Sequence, residues 1–418
     1  MNKQNNVPVL RFPGFEGEWE SKKIDEVAEK VNSGKTPLGG QSVYSKEGIF
    51  FIRSQNVTDN KLSVEDPTFI TEEVNNTMKN SVVRPKDILL NITGASLGRS
   101  CVVPESFTTG NVNQHVCIIR LNKSNDPYFL QPIFASEKGQ NLFNSLQTGS
   151  GREGLNFQSI RHMPLFFPTL PEQQKIATFL TSVEEKLQAL KKKKSLLEEY
   201  KKGVMQKIFS QKLRFRPGGW ADENGEDFPD WEELCLRDVA DRMIVKNKEN
   251  NLNVLTISAQ HGLISQLEYF NKSVSAKDVT GYYLLHENDF AYNKSYSNGY
   301  PMGAIKRLKK YDKGVVSTLY ICFRFKENVS NEFFEHYFEM GLQNVEIEQV
   351  AQEGIRNHGL LNVGVNDFFN INLHVPSFHE QTKIAFFLSA IDEKINHCTK
   401  QIEKTSDWKR GLLQKMFC

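Results

Sequence analysis

The residues in this sequence whose types could do chemistry are gathered in short polar clusters. In the first half these are Ser33-Gly-Lys-Thr-Pro37, Arg53-Ser-Gln-Asn56, Asn91-Ile-Thr-Gly-Ala-Ser-Leu-Gly-Arg99, Asn111-Val-Asn-Gln114 and Thr148-Gly-Ser-Gly-Arg152. The second half offers Ser258-Ala-Gln-His261, Asn293-Lys-Ser-Tyr-Ser-Asn-Gly-Tyr300, Ser317-Thr318 and Arg356-Asn-His358. Arg, Lys, Asn and Gln carry the donors and acceptors that match base edges in a major groove. Ser, Thr and the backbone N–H groups of Gly-rich turns suit phosphate oxygens. Any one of these residues, taken singly, reads first as ordinary turn chemistry, since Asn, Gly and Ser populate loops anyway. Taken together they nominate a nucleic-acid surface. Its first-half members are Lys35, Thr36, Arg53, Gln55, Asn91, Thr93, Ser96, Arg99, Asn113, Gln114, Ser150 and Arg152. Its second-half members are Ser258, Gln260, His261, Asn293, Lys294, Tyr296, Ser297, Asn298, Tyr300, Ser317, Thr318, Arg356 and His358.

Catalytic readings fare worse. Gly34-Lys35-Thr36 matches the tail of a phosphate-binding P-loop, but Glu29 stands where its first glycine is required. Asp126-Pro-Tyr-Phe129 is similar to an amino-methyltransferase tetrapeptide without its second proline, and no Gly-rich loop for a methyl donor accompanies it. An Asp-Pro that opens a helix accounts for it as well. The nine His form no zinc-binding spacing, and no Ser/His/Asp set or nuclease-like Asp with Glu-x-Lys stands out. No residue is nominated as catalytic or as a metal ligand.

The elements that must position the clusters come from a duplication. Glu172-Gln-Gln-Lys-Ile-Ala-Thr-Phe-Leu returns 208 positions later as Glu380-Gln-Thr-Lys-Ile-Ala-Phe-Phe-Leu, and 15 of 39 positions are identical between 172–210 and 380–418. The fronts match more loosely, Trp19-Glu20 with Trp231-Glu232 and Leu10-Arg-Phe with Leu213-Arg-Phe. Inside, Asp87 to Asn91 parallels Asp289 to Asn293, and Gly110 to Arg120 parallels Gly314 to Arg324. Short apolar runs broken by polar turns, followed by helical patterns, give each half an α+β character with a mixed or antiparallel sheet.

Each half ends in a long helix. Ile176, Leu180, Val183, Leu187, Leu190 and Leu197 lie on an a/d seam interrupted by Lys194 and Lys201. The second seam holds Ile384, Leu388, Ile391, Ile395, Ile402 and Leu412. Helices of some 35 residues, about 50 Å long at ~1.5 Å per residue, need partners, and each is the other's match. Antiparallel packing of the two is expected, with a homodimeric coiled coil as the alternative. Gly203 and Gly411 read either as tolerated helix glycines or as points of close backbone approach. The run Lys191 to Lys194 is either a solvated face or a contact to phosphate or an acidic partner. The implied divisions are 1–21, an N-terminal arm; 22–168, a first module; 169–211, a central helix; 212–230, a linker; 231–373, a second module; and 374–418, a closing helix.

Composition bounds the remainder. The 418 residues carry 52 Lys+Arg against 50 Asp+Glu, so a uniformly basic nucleic-acid binder is excluded and any such charge is local or shared with partners. No apolar run approaches the roughly 18–20 residues of a membrane span, and no secretory signal opens the chain. Six scattered Cys suit a reducing, cytoplasmic setting.

The Trp-Glu module starts, the Pro-Glu-Gln-x-x-Ile-Ala helix opening at 171–177, its copy within 376–385 and the late Gly-x-x-Gln-Lys-x-Phe at 203–209 and 411–417 resemble the specificity subunit of type I restriction–modification systems. The copy departs in carrying His379 where the first has Pro171, so that its proline, Pro376, stands four residues before Glu380. The resemblance implies two target-recognition domains of similar fold with two long antiparallel coiled-coil helices, each domain reading one half of a bipartite, asymmetric site in double-stranded DNA. It implies helices that set the spacing and dock two modification subunits, with restriction subunits joining the full complex. S-adenosylmethionine, ATP and magnesium would then belong to partner subunits and none to this chain. The alternative is a self-sufficient DNA-modifying or DNA-cleaving enzyme with a divergent site.

Overall fold

The computed structural model describes residues 6–147, 154–217, 227–258, 261–271, 278–351 and 361–418. The chain forms two units, Met1–Lys192 with Thr399–Cys418, and Lys193–Cys398. The long helices, Leu170–Phe209 and Phe378–Met416, contribute their opening and closing halves to different units.

In the first unit, strand Glu20–Lys23 pairs antiparallel with Pro164–Phe167, so the module starts and ends side by side. An antiparallel sheet follows, ordered Ser100–Val102, Ile88–Asn91, Val116–Leu121, Ala28–Ser33. A second, mixed sheet holds Tyr44–Ser45, Phe69–Ile70, Ile49–Ile52, Gly110–Val112 and Val82–Val83, with Gly110–Val112 parallel to Ile49–Ile52. Ile88, Leu89 and Leu90 are all fully buried because this strand has apolar neighbours on both faces.

The second unit repeats the frame. Glu232–Cys235 pairs with Asn372–Val375, and the sheet Ala240–Met243, Ile321–Phe325, Phe290–Asn293, Ala304–Arg307 is again antiparallel. In place of the five-stranded sheet the described residues form two antiparallel pairs, the hairpin Leu255–Ser258 with Gly262–Ser265, and Tyr283–His286 with Lys313–Val316. Two helices match in position and capping. Pro127–Ala135 is capped by the Asp126 carboxylate accepting from Tyr128 N, and Asn331–Glu339 by Ser330 Oγ accepting from Phe333 N. The Asp126-Pro sequence is therefore a helix start.

The repeated sequence marks resolve into matching anchors. Glu172 and Glu380 are buried in the first turns of the long helices. Arg11 forks onto Glu172 at 2.7 and 2.8 Å, and Arg214 onto Glu380 at 3.1 and 2.8 Å. Trp19 and Trp231 donate their indole N–H groups to the same carboxylates. Gln173 accepts from Asp126 N, and Gln381 from Ser330 N, tying each long helix to the cap of its module's helix. Asp87 and Asp289, both fully buried, hold Arg120 and Arg324 through paired hydrogen bonds. A buried carboxylate is tolerated only when so paired.

Within each unit the long helices run antiparallel. In the first, Phe417 packs on Trp19 and Phe129 near the helix start, and Lys409 pairs with Glu184 further along. In the second, Phe209 packs on Trp231 and Phe333 while Lys201 pairs with Asp392 at 2.6 Å. Ile176, Leu180, Val183, Leu187, Ile384, Leu388, Ile391 and Leu412 are buried, and Leu190, Leu197, Ile395 and Ile402 half-buried. Lys201 and Lys409 occupy equivalent seam positions, and each is neutralised by an acidic residue of the other helix. A Cβ placed on Gly203 or Gly411 would meet nothing within 4 Å. The reading of these glycines as points of close backbone approach is therefore wrong. Within the run from Lys191, Lys191 bonds Asp59 and Lys194 lies 3.7 Å from Glu198. No helix among the described residues is long and apolar enough to cross a membrane.

Candidate nucleic-acid interface

In the first module four polar clusters sit where strands end. Ala28–Ser33 runs into Gly34, Ile49–Ile52 into Arg53, Ile88–Asn91 into Thr93, and Gly110–Val112 into Asn113. Backbone bonds draw them into one rim: Gly34 N donates to Asn113 O at 3.2 Å and Asn113 N to Ile52 O at 3.1 Å. Gly34 is required there, since a Cβ would stand 1.7 Å from the Val112 carbonyl oxygen.

Two of the nominated residues hold this rim together instead of facing outward. Asn91 is fully buried and its Nδ2 donates to Ser54 O at 2.8 Å. Asn113 is 9% exposed, with Oδ1 accepting from His115 N. Their assignment as contact side chains is corrected: a turn whose backbone must be closed uses its Asn side chains internally.

The other members present themselves. Lys35, Thr36, Gln55, Gln114 and Arg99 are exposed, and Arg53, Thr93 and Ser96 half-buried. Thr36 donates to Gln114, Gln114 Nε2 lies 3.0 Å from His115 Nε2, and His115 Nδ1 lies 2.6 Å from Thr93 Oγ1. His115 thus joins three loops, although it belongs to no recognisable motif. Arg53 and Gln55 converge on Asp66, also unnoticed in the sequence because it lies in another loop. Ser150 and Arg152 lie outside the described residues; the flanking Gly154 pairs with Thr93.

In the second module Asn293 ends a strand and accepts from Ser295 N. Lys294 donates to Val363 O at 3.3 Å. Ser297 and Tyr300 exchange backbone bonds across a tight turn, which exposes Tyr296 and Asn298. Gly303, at φ +77°, packs with its missing Cβ 2.3 Å from Asn293 O. Tyr300 donates to Glu339 and accepts from Lys306; burial, then the Glu339 contact, pushes its phenol well above the ordinary range.

Ser258 is buried, its Oγ accepting from His261 N, so it shapes the turn and is withdrawn from the contact set. Exposed His261 and half-buried Tyr300 share a cleft of about 920 Å³ with Lys194, Lys306, Lys310 and Asn396. Its cations are largely committed: Lys306 to Glu339, Arg307 to Glu332 and Glu335, Lys310 to Glu268. Ser317 Oγ accepts from Leu319 N beside exposed Thr318. Gln260, Arg356 and His358 lie outside the described residues.

Nothing described resembles an activated nucleophile. Burial pushes the thiols of Cys101, Cys117 and Cys322 up to about 12, and no cluster of three metal-ligating side chains occurs among the described residues. His336 lies against the helix pair; burial, with Lys201 nearby, lowers its pKa to about 3 and keeps the imidazole neutral.

Set against known proteins, residues 16–199 and 229–405 each match a family described as "Type I restriction modification DNA specificity domain". A putative type I restriction enzyme MjaX specificity subunit from Methanocaldococcus jannaschii is 22% identical over 241 residues, 56% of this chain and 55% of that one. The MjaVIII specificity subunit from the same organism is 28% identical over 166 residues, 40% of this chain and 38% of its own. The matched region thus spans about half or less of these curated relatives' length. Two solved structures share the fold. The S subunit of a type I restriction–modification system from M. genitalium has a TM-score of 0.61 at 15% identity, covering 99% of both chains. A chain from a structural study of type I R-M complex assembly and conformational transition has 0.53 at 14%, covering 97% of this chain and 98% of that one.

Proposed function

The chain belongs to the type I restriction–modification DNA specificity family, and from that premise we propose that it is the non-catalytic subunit that selects the DNA sequence for a methylating or restricting complex. Each module reads one half of a bipartite, asymmetric duplex site through the loops at its strand ends. The paired helices fix the separation of the half-sites and dock two modification subunits. Those subunits bring S-adenosylmethionine for adenine methylation, and restriction subunits bring the ATP- and magnesium-dependent steps.

The observation that supports this most is the contrast between a repeated frame and unlike rims. Glu172 and Glu380, Gln173 and Gln381, and Asp87 and Asp289 make the same bonds in both units. The loops that the two frames carry differ in length, partners and residue types. Two readers of different sequences on equivalent mounts need that arrangement: phosphate-facing donors position, and base-facing side chains specify. The near-neutral charge fits a chain that shares its DNA grip with partners.

The test is co-expression with a cognate modification subunit in a methylation-free host, followed by genome-wide mapping of N6-methyladenine. A two-part motif with an unspecified spacer is expected. Methylation or cleavage of DNA by the purified chain alone, supplied with magnesium and S-adenosylmethionine, would replace this reading with that of an enzyme.

A further inference from the structure

Arg53, Gln55 and Asp66 form a constellation within the first module's rim that the general reading leaves unused. Arg53 follows strand Ile49–Ile52 directly, and its backbone is fixed on both sides. Arg53 N donates to Asn56 Oδ1 at 3.0 Å, Asn56 N to Arg53 O at 2.9 Å, and buried Asn56 is pinned in turn to Ser63. The guanidinium therefore rides on a rigid strand end, the kind of mount that precise recognition needs. Its Nη2 lies 3.4 Å from Asp66 Oδ2, and Gln55 Nε2 donates to the same oxygen at 2.7 Å. Arg53 Nε is enclosed without a hydrogen-bond partner. The side chain is two-thirds covered, whereas that of Asp66 is 79% exposed.

This pattern differs from that of the other basic residues of the rim. Lys35 and Arg99 are exposed and make no ion pair among the described residues, as suits phosphate contact. A solvent-facing carboxylate beside Arg53 repels a phosphate but tolerates a base edge, which is uncharged. It also orients the guanidinium fork, whose remaining donors match the O6 and N7 acceptors of guanine. A carboxylate in that place can further accept from the exocyclic amine of a cytosine.

We propose that Arg53, steered by Asp66 and flanked by Gln55, reads one guanine in the half-site bound by the first module. The proposal rests on the DNA-selecting function above and adds the base identity and the residue that enforces it.

The experiment uses the full chain assembled with its modification subunits, presented with a pool of random-sequence duplexes and, in cells, with the host genome. Wild type, Arg53→Ala, Asp66→Asn and Arg99→Ala are compared. The expected wild-type motif contains an invariant guanine in the half-site that exchange of the first module alters. Arg53→Ala and Asp66→Asn should each reduce discrimination at that one position, on the order of 10- to 100-fold for Arg53→Ala, leaving the other half-site intact. Arg99→Ala should weaken binding across all sequences alike. Retained selection of the second half-site shows that a variant is folded; if Arg53→Ala loses all binding, the exposed Asp66→Asn decides. A motif unchanged by Asp66→Asn with affinity merely raised, or unchanged by Arg53→Ala, overturns the proposal. A wild-type assembly that selects no sequence overturns the DNA-selecting reading itself.

Discussion

At the scale of residues, the strongest constraints lie in buried charge. Glu172 and Glu380 sit out of water with an arginine fork and an indole N–H each, and removing the arginine leaves a carboxylate without its counter-charge. Arg214→Ala should therefore cost about 3 kcal/mol of stability, and Arg11→Ala the same, measured by denaturant unfolding of the assembled complex. His336 makes a pH-dependent contribution. Its folded pKa of about 3 lies below the unfolded value of about 6.5, so the unfolded chain binds the proton first. The stability is fully present above pH 6.5 and declines as pH falls toward 3. His336→Gln should flatten the unfolding midpoint between pH 6.5 and 4.5 relative to wild type; an unchanged slope would contradict a buried neutral imidazole. At this scale Glu172 reads in the sequence only as a helix-start acid. Its arginine lies 161 residues earlier, and that pairing exists only after folding.

At the scale of elements, the long helices carry the duplication most faithfully, since their positions face a partner at every turn. Periodicity alone places the seam, and its equivalent lysines Lys201 and Lys409 find Asp392 and Glu184. Exchanging the charges of Glu184 and Lys409 together should restore much of the stability that Lys409→Glu alone removes, about 1–2 kcal/mol, in a double-mutant cycle. Gly203→Ala and Gly411→Ala should each stabilise by about 0.5–1 kcal/mol, because the space is open and helix entropy favours alanine. Strands such as Ile49–Ile52 and Ile321–Phe325 are equally legible as apolar runs. The rim is less so. Asn91 and Asn113 have the right chemistry for DNA and the wrong exposure, because loop closure consumes their amides. His115 and Asp66 are joined to the rim through hydrogen bonds across loops, which no spacing in the chain encodes.

At the scale of the whole molecule, each unit is built from both halves of the sequence, since each takes the closing turns of the other half's helix. The frame can then stay constant while the loops change. Deleting seven residues, 191–197 and 399–405, from both helices leaves the Glu184–Lys409 and Lys201–Asp392 partners present. It should shorten the unspecified spacer of the motif by about three base pairs without altering the bases read, given ~1.5 Å per helical residue and 3.4 Å per base pair. The most direct measurement is a methylome map of a chimera in which residues 22–168 are replaced by the corresponding module of another specificity chain, co-expressed with the same modification subunit. One half of the methylated motif should change and the other half should persist base for base; a change in both halves, or in neither, would contradict the account.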